Sequence, residues 1–160
     1  MIKITVISVG KMKEKFFLGA QEEYSKRISR YADLNIVELK DEATPENPSE
    51  REKEIILKKE AERIKDKISQ GSYVISLCVE GRQQSSEELA KLIDKTVTEI
   101  TGNLTFIIGG SLGLSDEIKN RSDLKLSFSK MTFPHRLMRV ILLEQIYRAF
   151  TIIEGKTYHK

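Results

Sequence analysis

The chain has 160 residues, of which 39% are hydrophobic and 32% charged, enough for one domain with a real core and too few for two. No apolar run approaches the length of a bilayer span, and MIKITVISVGK (Met1 to Lys11) has a strand pattern rather than that of a signal peptide; a cytoplasmic location is expected. Cys78 is the single cysteine, which excludes a disulfide framework and a cysteine-based metal site, and a net charge of +3 is too small to identify a nucleic-acid partner by itself.

Ile2 to Val9 alternates and then fills with Ile and Val, as a strand buried on both faces does. Gly10 ends it, and Lys11 to Lys15 form a basic turn. Phe17, Ala20, Tyr24 and Ile28, spaced by three and four, mark one face of a helix from Phe16 to about Ala32. Leu34 to Leu39 is a short second strand. DEATPENP (Asp41 to Pro48), with two prolines and three acids, is a loop. Ser49 and Glu52 have capping-box spacing for a helix to about Ser69. Its narrow apolar side is Ile55, Ile56, Ala61, Ile64 and Ile68, and its charged remainder reads as a solvated face. Tyr73 to Val79 is the third strand, closed by Glu80-Gly81. Ser85 and Glu88 repeat the capping box for a helix through Leu89, Leu92, Ile93, Val97 and Ile100, ended by Gly102.

Leu104 opens an apolar run that stops at Gly109-Gly110, turns through Ser111-Leu112-Gly113 and restarts at Ser115, a cap for a helix beginning Asp116-Glu117. A strand from Leu124 to about Ser129 is followed by a loop, Lys130 to Phe133, and Pro134 stands near the start of a helix to about Glu154. These two strands are expected to end side by side, each releasing a loop that opens a helix; such carboxyl edges are where ligands bind in open α/β sheets. Gly109-Gly110-x-x-Gly113 has the wrong spacing for the dinucleotide fingerprint, and no lysine stands in P-loop register. Backbone groups in two facing loops suit an adenine edge and a neutral-to-zwitterionic tail. Strand and helix alternate throughout, which predicts an α/β fold: a mostly parallel sheet with helices on both faces.

Leu137, Met138, Val140, Ile141, Leu142, Leu143, Ile146, Tyr147, Ala149, Phe150, Ile152 and Ile153 leave the last helix almost no polar face, more than its own sheet can cover. That excess predicts a homodimer through this helix about a two-fold axis. Glu144 and Arg148, i and i+4 with the acid first, are expected to be buried partners. Arg136, Arg139, Arg148 and Lys130 give a positive edge, which reads equally as ordinary surface charge. His135, in a first turn where the helix dipole disfavours a cation, is read as structural; metal ligation or general-base work would need a neutral ring. Cys78, inside a strand, is read as inert packing.

GGSLGL (Gly109 to Leu114), SFSKMTFPH (Ser127 to His135), LLEQIYRAF (Leu142 to Phe150) and YHK (Tyr158 to Lys160) together resemble the RlmH family. These are small SPOUT-class methyltransferases acting on N3 of a pseudouridine in large-subunit ribosomal RNA. The resemblance runs end to end, taking in VGKMKEKFF near the start and VISLCVEG in the third strand. It implies one SPOUT-like domain over residues 1–160, a C-terminal trefoil knot, S-adenosylmethionine as cofactor, an obligate homodimer and no metal. Pattern reading alone gives an unknotted doubly wound sheet. Carried residue by residue, the methyl donor would touch Leu77, Gly109 in the first loop, and Phe128, Ser129, Lys130, Met131, Thr132 and Phe133 in the second. Cys78 stands where the family usually has an acid, so a polar contact there is not implied.

The catalytic candidates are Arg148, His159, Tyr158 and Glu144. A guanidinium would stabilise charge developing on the base as its imide proton leaves, and a neutral imidazole could take that proton. Glu144 would hold Arg148, and the tail would complete a neighbouring subunit's cleft. Lys11, Lys13, Lys15, Arg136, Arg139 and Lys160 are expected to meet phosphates of an assembled ribosomal site. Two rivals stand beside this reading: an RNA- or ribosome-binding protein of the same fold without catalysis, and an ordinary doubly wound nucleotide enzyme. The second requires a phosphate-cradling first loop, and Val9-Gly10-Lys11-Met12 offers one glycine.

Overall fold

Every strand pairing in the sheet is parallel, so each connection must cross back over the sheet. The computed structural model describes residues 1–160. The elements are β1 (Ile2–Val9), α1 (Lys15–Ile28), β2 (Ala32–Leu39), α2 (Glu50–Lys65), β3 (Tyr73–Gln83), α3 (Ser86–Glu99), β4 (Asn103–Ile108), α4 (Asp116–Arg121), β5 (Leu124–Ser127) and α5 (His135–Ile153). The strands lie in the order β2-β1-β4-β3-β5. Helices cover both faces, as the unbroken apolar strands require. Ile4, Val6, Leu104 and Phe106 face α1, α3 and α5, through Ile28, Ile93, Leu142 and Ile146. Ile7, Val9 and Ile107, offset by one position, face α2 and α4 through Ala61, Ile64 and Ile118. Ser49 and Ser85 each close a complete capping box, and the Ser115 hydroxyl accepts from the Ile118 N–H. No helix is long and apolar enough to cross a membrane.

Two expectations are corrected. β4 and β5 are not neighbours, because β3 lies between them. β3 also does not stop at Val79 but runs to Gln83 with a break in register: Leu77 and Arg82 both pair with Leu126, leaving Cys78 to Gly81 bulged out. Gly81 belongs to that bulge rather than to a strand end, since a Cβ there would stand 2.8 Å from the Lys125 carbonyl oxygen.

Arg139 is the largest fully buried side chain, at 0% exposure, which rules out the phosphate contact expected of it. Its guanidinium donates to Glu38 Oε2 (2.6 Å), Gln21 Oε1 (3.1 Å), Ser8 Oγ (2.9 Å) and the Gly10 carbonyl (3.1 Å). These partners come from β1, β2 and α1, so the network fastens the first turns of α5 to the opposite end of the chain. Burial opposes ionisation of Glu38, but the bonds from Arg139 and from the Met12 N–H outweigh it and hold the carboxyl below its ordinary range.

A second buried acid behaves in the opposite sense. Glu60 is 5% exposed and accepts from the Glu42 N–H at 3.0 Å. Burial first, and then the neighbouring charge of Asp41, push its pKa up. A carboxyl whose pKa is raised on folding contributes stability that is fully present below the unfolded pKa and lost as pH rises through the folded value. Glu60→Gln keeps the acceptor without the charge. It is expected to melt higher than wild type at about pH 8, with the two curves converging by about pH 4; thermal unfolding across that range checks it.

Candidate active site

Parallel strands deliver all their carboxyl ends to one edge, and there the ends of β3, β4 and β5 surround a cleft of about 660 Å³. One wall is the β3 bulge, with Leu77, Cys78 and Glu80. A second is the turn Gly109 to Leu114. The third is the segment Leu126 to His135, closed by Met138 of α5. The bulge gives the space this wall, since Cys78, Val79 and Glu80 lie outside the β3–β5 pairing.

The Gly109 turn is folded on itself. Gly110 and Gly113 form an antiparallel bridge, the Gly113 N–H donates to the Gly110 carbonyl at 3.0 Å, and Gly113 has φ +77°. A Cβ on Gly109 would lie inside the van der Waals contact of the Gly113 carbonyl. Glycine is therefore required so that the loop can close on its own backbone. Gly109→Ala is expected to open this wall and weaken nucleoside binding by an order of magnitude or so; calorimetry with S-adenosylhomocysteine checks it, unchanged affinity counting against the cleft. In the facing loop the Ser127 hydroxyl donates to the Ser129 carbonyl (3.0 Å) and the Met131 N–H to Ser129 Oγ (3.0 Å). These bonds fix the turn that carries Phe128, Ser129, Met131, Thr132 and Phe133 along the cleft. Lys130 is exposed and does not line it.

Two charged side chains in the cleft were not singled out from the sequence. Glu80 pairs with Lys119, whose bond holds the carboxyl below its ordinary range. Glu80 stands in the bulge, which re-aims its side chain in a way that strand alternation does not signal. The Cys78 thiol is pushed up by burial and then by the charge of Glu80, so it is a poor source of thiolate, in keeping with inert packing. His135 also lines the cleft. Burial, followed by the cations of Arg136 and Arg139, lowers its pKa and favours the neutral ring.

The four catalytic candidates meet in a separate cluster on the C-terminal half of α5. Arg148 donates through Nε (3.0 Å) and Nη2 (2.6 Å) to Glu144 Oε1, and Nη1 lies 3.1 Å from His159 Nδ1. His159 Nε2 is 2.7 Å from Glu87 Oε1, the Tyr158 hydroxyl donates to Glu144 Oε1 at 3.1 Å, and Arg148 Cζ stands 4.7 Å over the Tyr158 ring. A guanidinium can only donate, so His159 Nδ1 accepts and the ring hydrogen sits on Nε2, facing Glu87. Glu87 has no local sequence signal, because it reaches His159 across 72 residues.

The cleft and the cluster are distinct along the helix. Arg148 is ten residues beyond Met138, about 15 Å of rise. A smaller cavity of about 300 Å³ borders both: it shares Leu126 and Phe128 with the cleft and reaches Gln145, whose amide donates to Glu144 Oε2 at 3.0 Å. Leu137, Val140, Ile141 and Tyr147 remain only partly covered along α5. Of the expected phosphate contacts, Lys11, Lys13, Lys15 and Lys160 are exposed, while Arg136 is half-buried against Glu14 (3.0 Å) and the Lys11 carbonyl. No group of three or more His, Cys, Asp or Glu side chains is placed to hold a metal ion.

Residues 2–159 match the family model described as predicted SPOUT methyltransferase. Among curated relatives, proteins named ribosomal RNA large subunit methyltransferase H from Clostridium botulinum (strain Alaska E43 / Type E3) and Clostridium novyi (strain NT) are each 57% identical. Both alignments cover 99% of this chain and 100% of the relative. Among solved structures, a probable methylase family protein from Haemophilus influenzae Rd KW20 superposes with a TM-score of 0.52 at 15% identity, over 99% of this chain and 70% of that one.

Proposed function

We infer that this chain, which belongs to the SPOUT methyltransferase family, methylates ribosomal RNA of the large subunit, the activity for which its full-length relatives are named. The observation that carries the reading is the cleft. Its volume of about 660 Å³ falls in the range of nucleoside-sized ligand sites, and its walls are two backbone turns with apolar side chains between them. Such walls fit S-adenosylmethionine, with Leu77, Gly109, Phe128, Ser129, Met131, Thr132 and Phe133 as its holders. The cofactor supplies a methyl group activated on a sulfonium. The finer target, N3 of a pseudouridine, rests on the resemblance in sequence.

The chain's own task is to place and activate the acceptor. An imide nitrogen is a poor nucleophile until its proton leaves, and Arg148 offers a fixed guanidinium to the charge then developing on the ring. Glu144 holds Arg148 in that position with two bonds. His159 Nδ1 can take a proton only after the imidazole turns away from Arg148, which Glu144 keeps in place. The small cavity beside Phe128 gives the acceptor ring a seat between cleft and cluster.

The separation of cleft and cluster along α5 also favours a homodimer. A two-fold axis near the middle of α5 would run two copies antiparallel and bring the tail of each toward the cleft of the other. The partly covered apolar residues of α5 supply the contact. A C-terminal trefoil knot belongs to the same reading, supported by segment 126–135, late in the chain, sharing one cleft with the 109–114 turn. An assembled ribosomal site as substrate implies a cytoplasmic protein.

Incubation with methyl-labelled S-adenosylmethionine and purified large ribosomal particles, followed by mapping of the label, tests the function. Label on one pseudouridine of the large-subunit RNA is expected; particles bound without label would favour the non-catalytic rival. Sedimentation at micromolar concentration is expected to give a dimer, and a monomer would remove that part of the reading.

A further inference from the structure

We propose that the turn after β1 is a stacking platform for an unpaired base of the ribosomal RNA, with Phe16 as the ring that receives it. This rests on the reading that large-subunit RNA is the substrate. Phe16 is 70% exposed, and the next most exposed aromatic residue, Tyr158, reaches 37%. The Phe17 ring backs it, with centroids 4.4 Å apart. Lys11, Lys13 and Lys15 precede it within five residues of the chain, all exposed. The one acid in the turn, Glu14, does not offset them, because it is engaged by Arg136 at 3.0 Å. An exposed ring among uncompensated cations is the pairing that single strands use: bases stack on the ring while the phosphates follow the charge.

The turn is held in place rather than free. Arg136 Nε donates to the Lys11 carbonyl at 3.0 Å, Met12 is buried with its N–H on Glu38, and the Gly10 N–H donates to the Leu39 carbonyl at 2.7 Å. A fixed platform loses little freedom on binding. It is also close to the chemistry. Gly10, with φ +104°, packs against His135, whose Nε2 lies 3.3 Å from the place a Cβ would occupy, and His135 lines the cleft. The platform therefore adjoins the His135 side of the cleft. A second copy of this chain is the poorer occupant, because a two-fold contact here would set two lysine clusters face to face.

The test compares wild type, Phe16→Ala, Phe16→Trp and the double variant Lys13→Ala/Lys15→Ala in binding to purified large ribosomal particles over a series of salt concentrations. Calorimetry with S-adenosylhomocysteine and sedimentation accompany each variant. Phe16→Ala is expected to weaken particle binding on the order of tenfold, with its salt dependence unchanged, and Phe16→Trp to bind as wild type does. The lysine variant is expected to lose about 0.7 of the logarithmic salt slope per lysine removed. All should keep wild-type affinity for S-adenosylhomocysteine. Unchanged particle binding by Phe16→Ala would overturn the proposal, as would equal losses in the Ala and Trp variants. A smaller sedimenting species for Phe16→Ala would also overturn it, by assigning Phe16 to a contact between copies. If wild type binds particles through Phe16 but transfers no methyl group, the platform stands and the proposed activity falls; if it binds no particles, both fall.

Discussion

Arg148→Ala is expected to lower methyl transfer to ribosomal particles by roughly 10²- to 10³-fold, the loss typical when one fixed donor to developing charge is removed. Arg148 forms none of the cleft's walls, so affinity for S-adenosylhomocysteine should change little. Arg148→Lys should not restore the rate. A single ammonium cannot hold Glu144 through two nitrogens and still reach His159, as the guanidinium does. Deleting Tyr158 to Lys160 should cause a comparable loss, since it removes the hydroxyl on Glu144 and the ring on Arg148 together. Single-turnover rates, with the cofactor saturating, make the comparison. Full activity in the truncated chain would take the tail out of the mechanism and leave Arg148 as a structural partner of Glu144.

The largest effect on stability is expected from Arg139→Ala. The substitution empties a fully buried site, leaves the Ser8 hydroxyl and the Gly10 carbonyl without the guanidinium, and leaves the Glu38 carboxylate with only the Met12 N–H. Removing one member of a buried charged network costs about 3–5 kcal/mol, and Glu38, whose side chain is 33% exposed, places the loss at the lower end of that range. In a chain of this length that is a fall in Tm of roughly 6–12 °C. Arg139→Lys should recover only part of it, because no ammonium reaches four acceptors spread over three elements. Thermal and urea unfolding would show it, and a Tm within about 2 °C of wild type would mean that the network contributes nothing net.

Much of this was legible because local rules decide it. The caps at Ser49, Ser85 and Ser115 are fixed by residues three apart, and all three are present. The apolar runs of β1 and β4 announced a sheet covered on both faces. Strand order was not legible, because β3 inserts between β4 and β5 through contacts that no local pattern encodes. The β3 bulge was hidden for the same reason: it exists only in register with Leu126, and Gly81 looks in sequence like the end of a strand. Arg139 was misread from its charge, although its spacing was informative. Positions 139, 142, 143, 146, 149 and 150 trace one buried face of α5, and a cation on that stripe should have been expected inside. The two loops of the cleft are legible from pattern and their individual residues from resemblance, whereas Glu80, Lys119 and Glu87 are placed only by the fold.

The buried guanidinium also bears on the order in which the chain assembles. Its four acceptors lie between 101 and 131 residues upstream, on elements that emerge early in synthesis, while Arg139 itself is made near the end. The last helix therefore has no seat until β1, β2 and α1 have come together, and its docking is a late, non-local event. Interactions formed after the rate-limiting barrier act on escape from the native state rather than on arrival. The clamp accordingly serves as a latch, setting how long the finished protein persists rather than how quickly it is made.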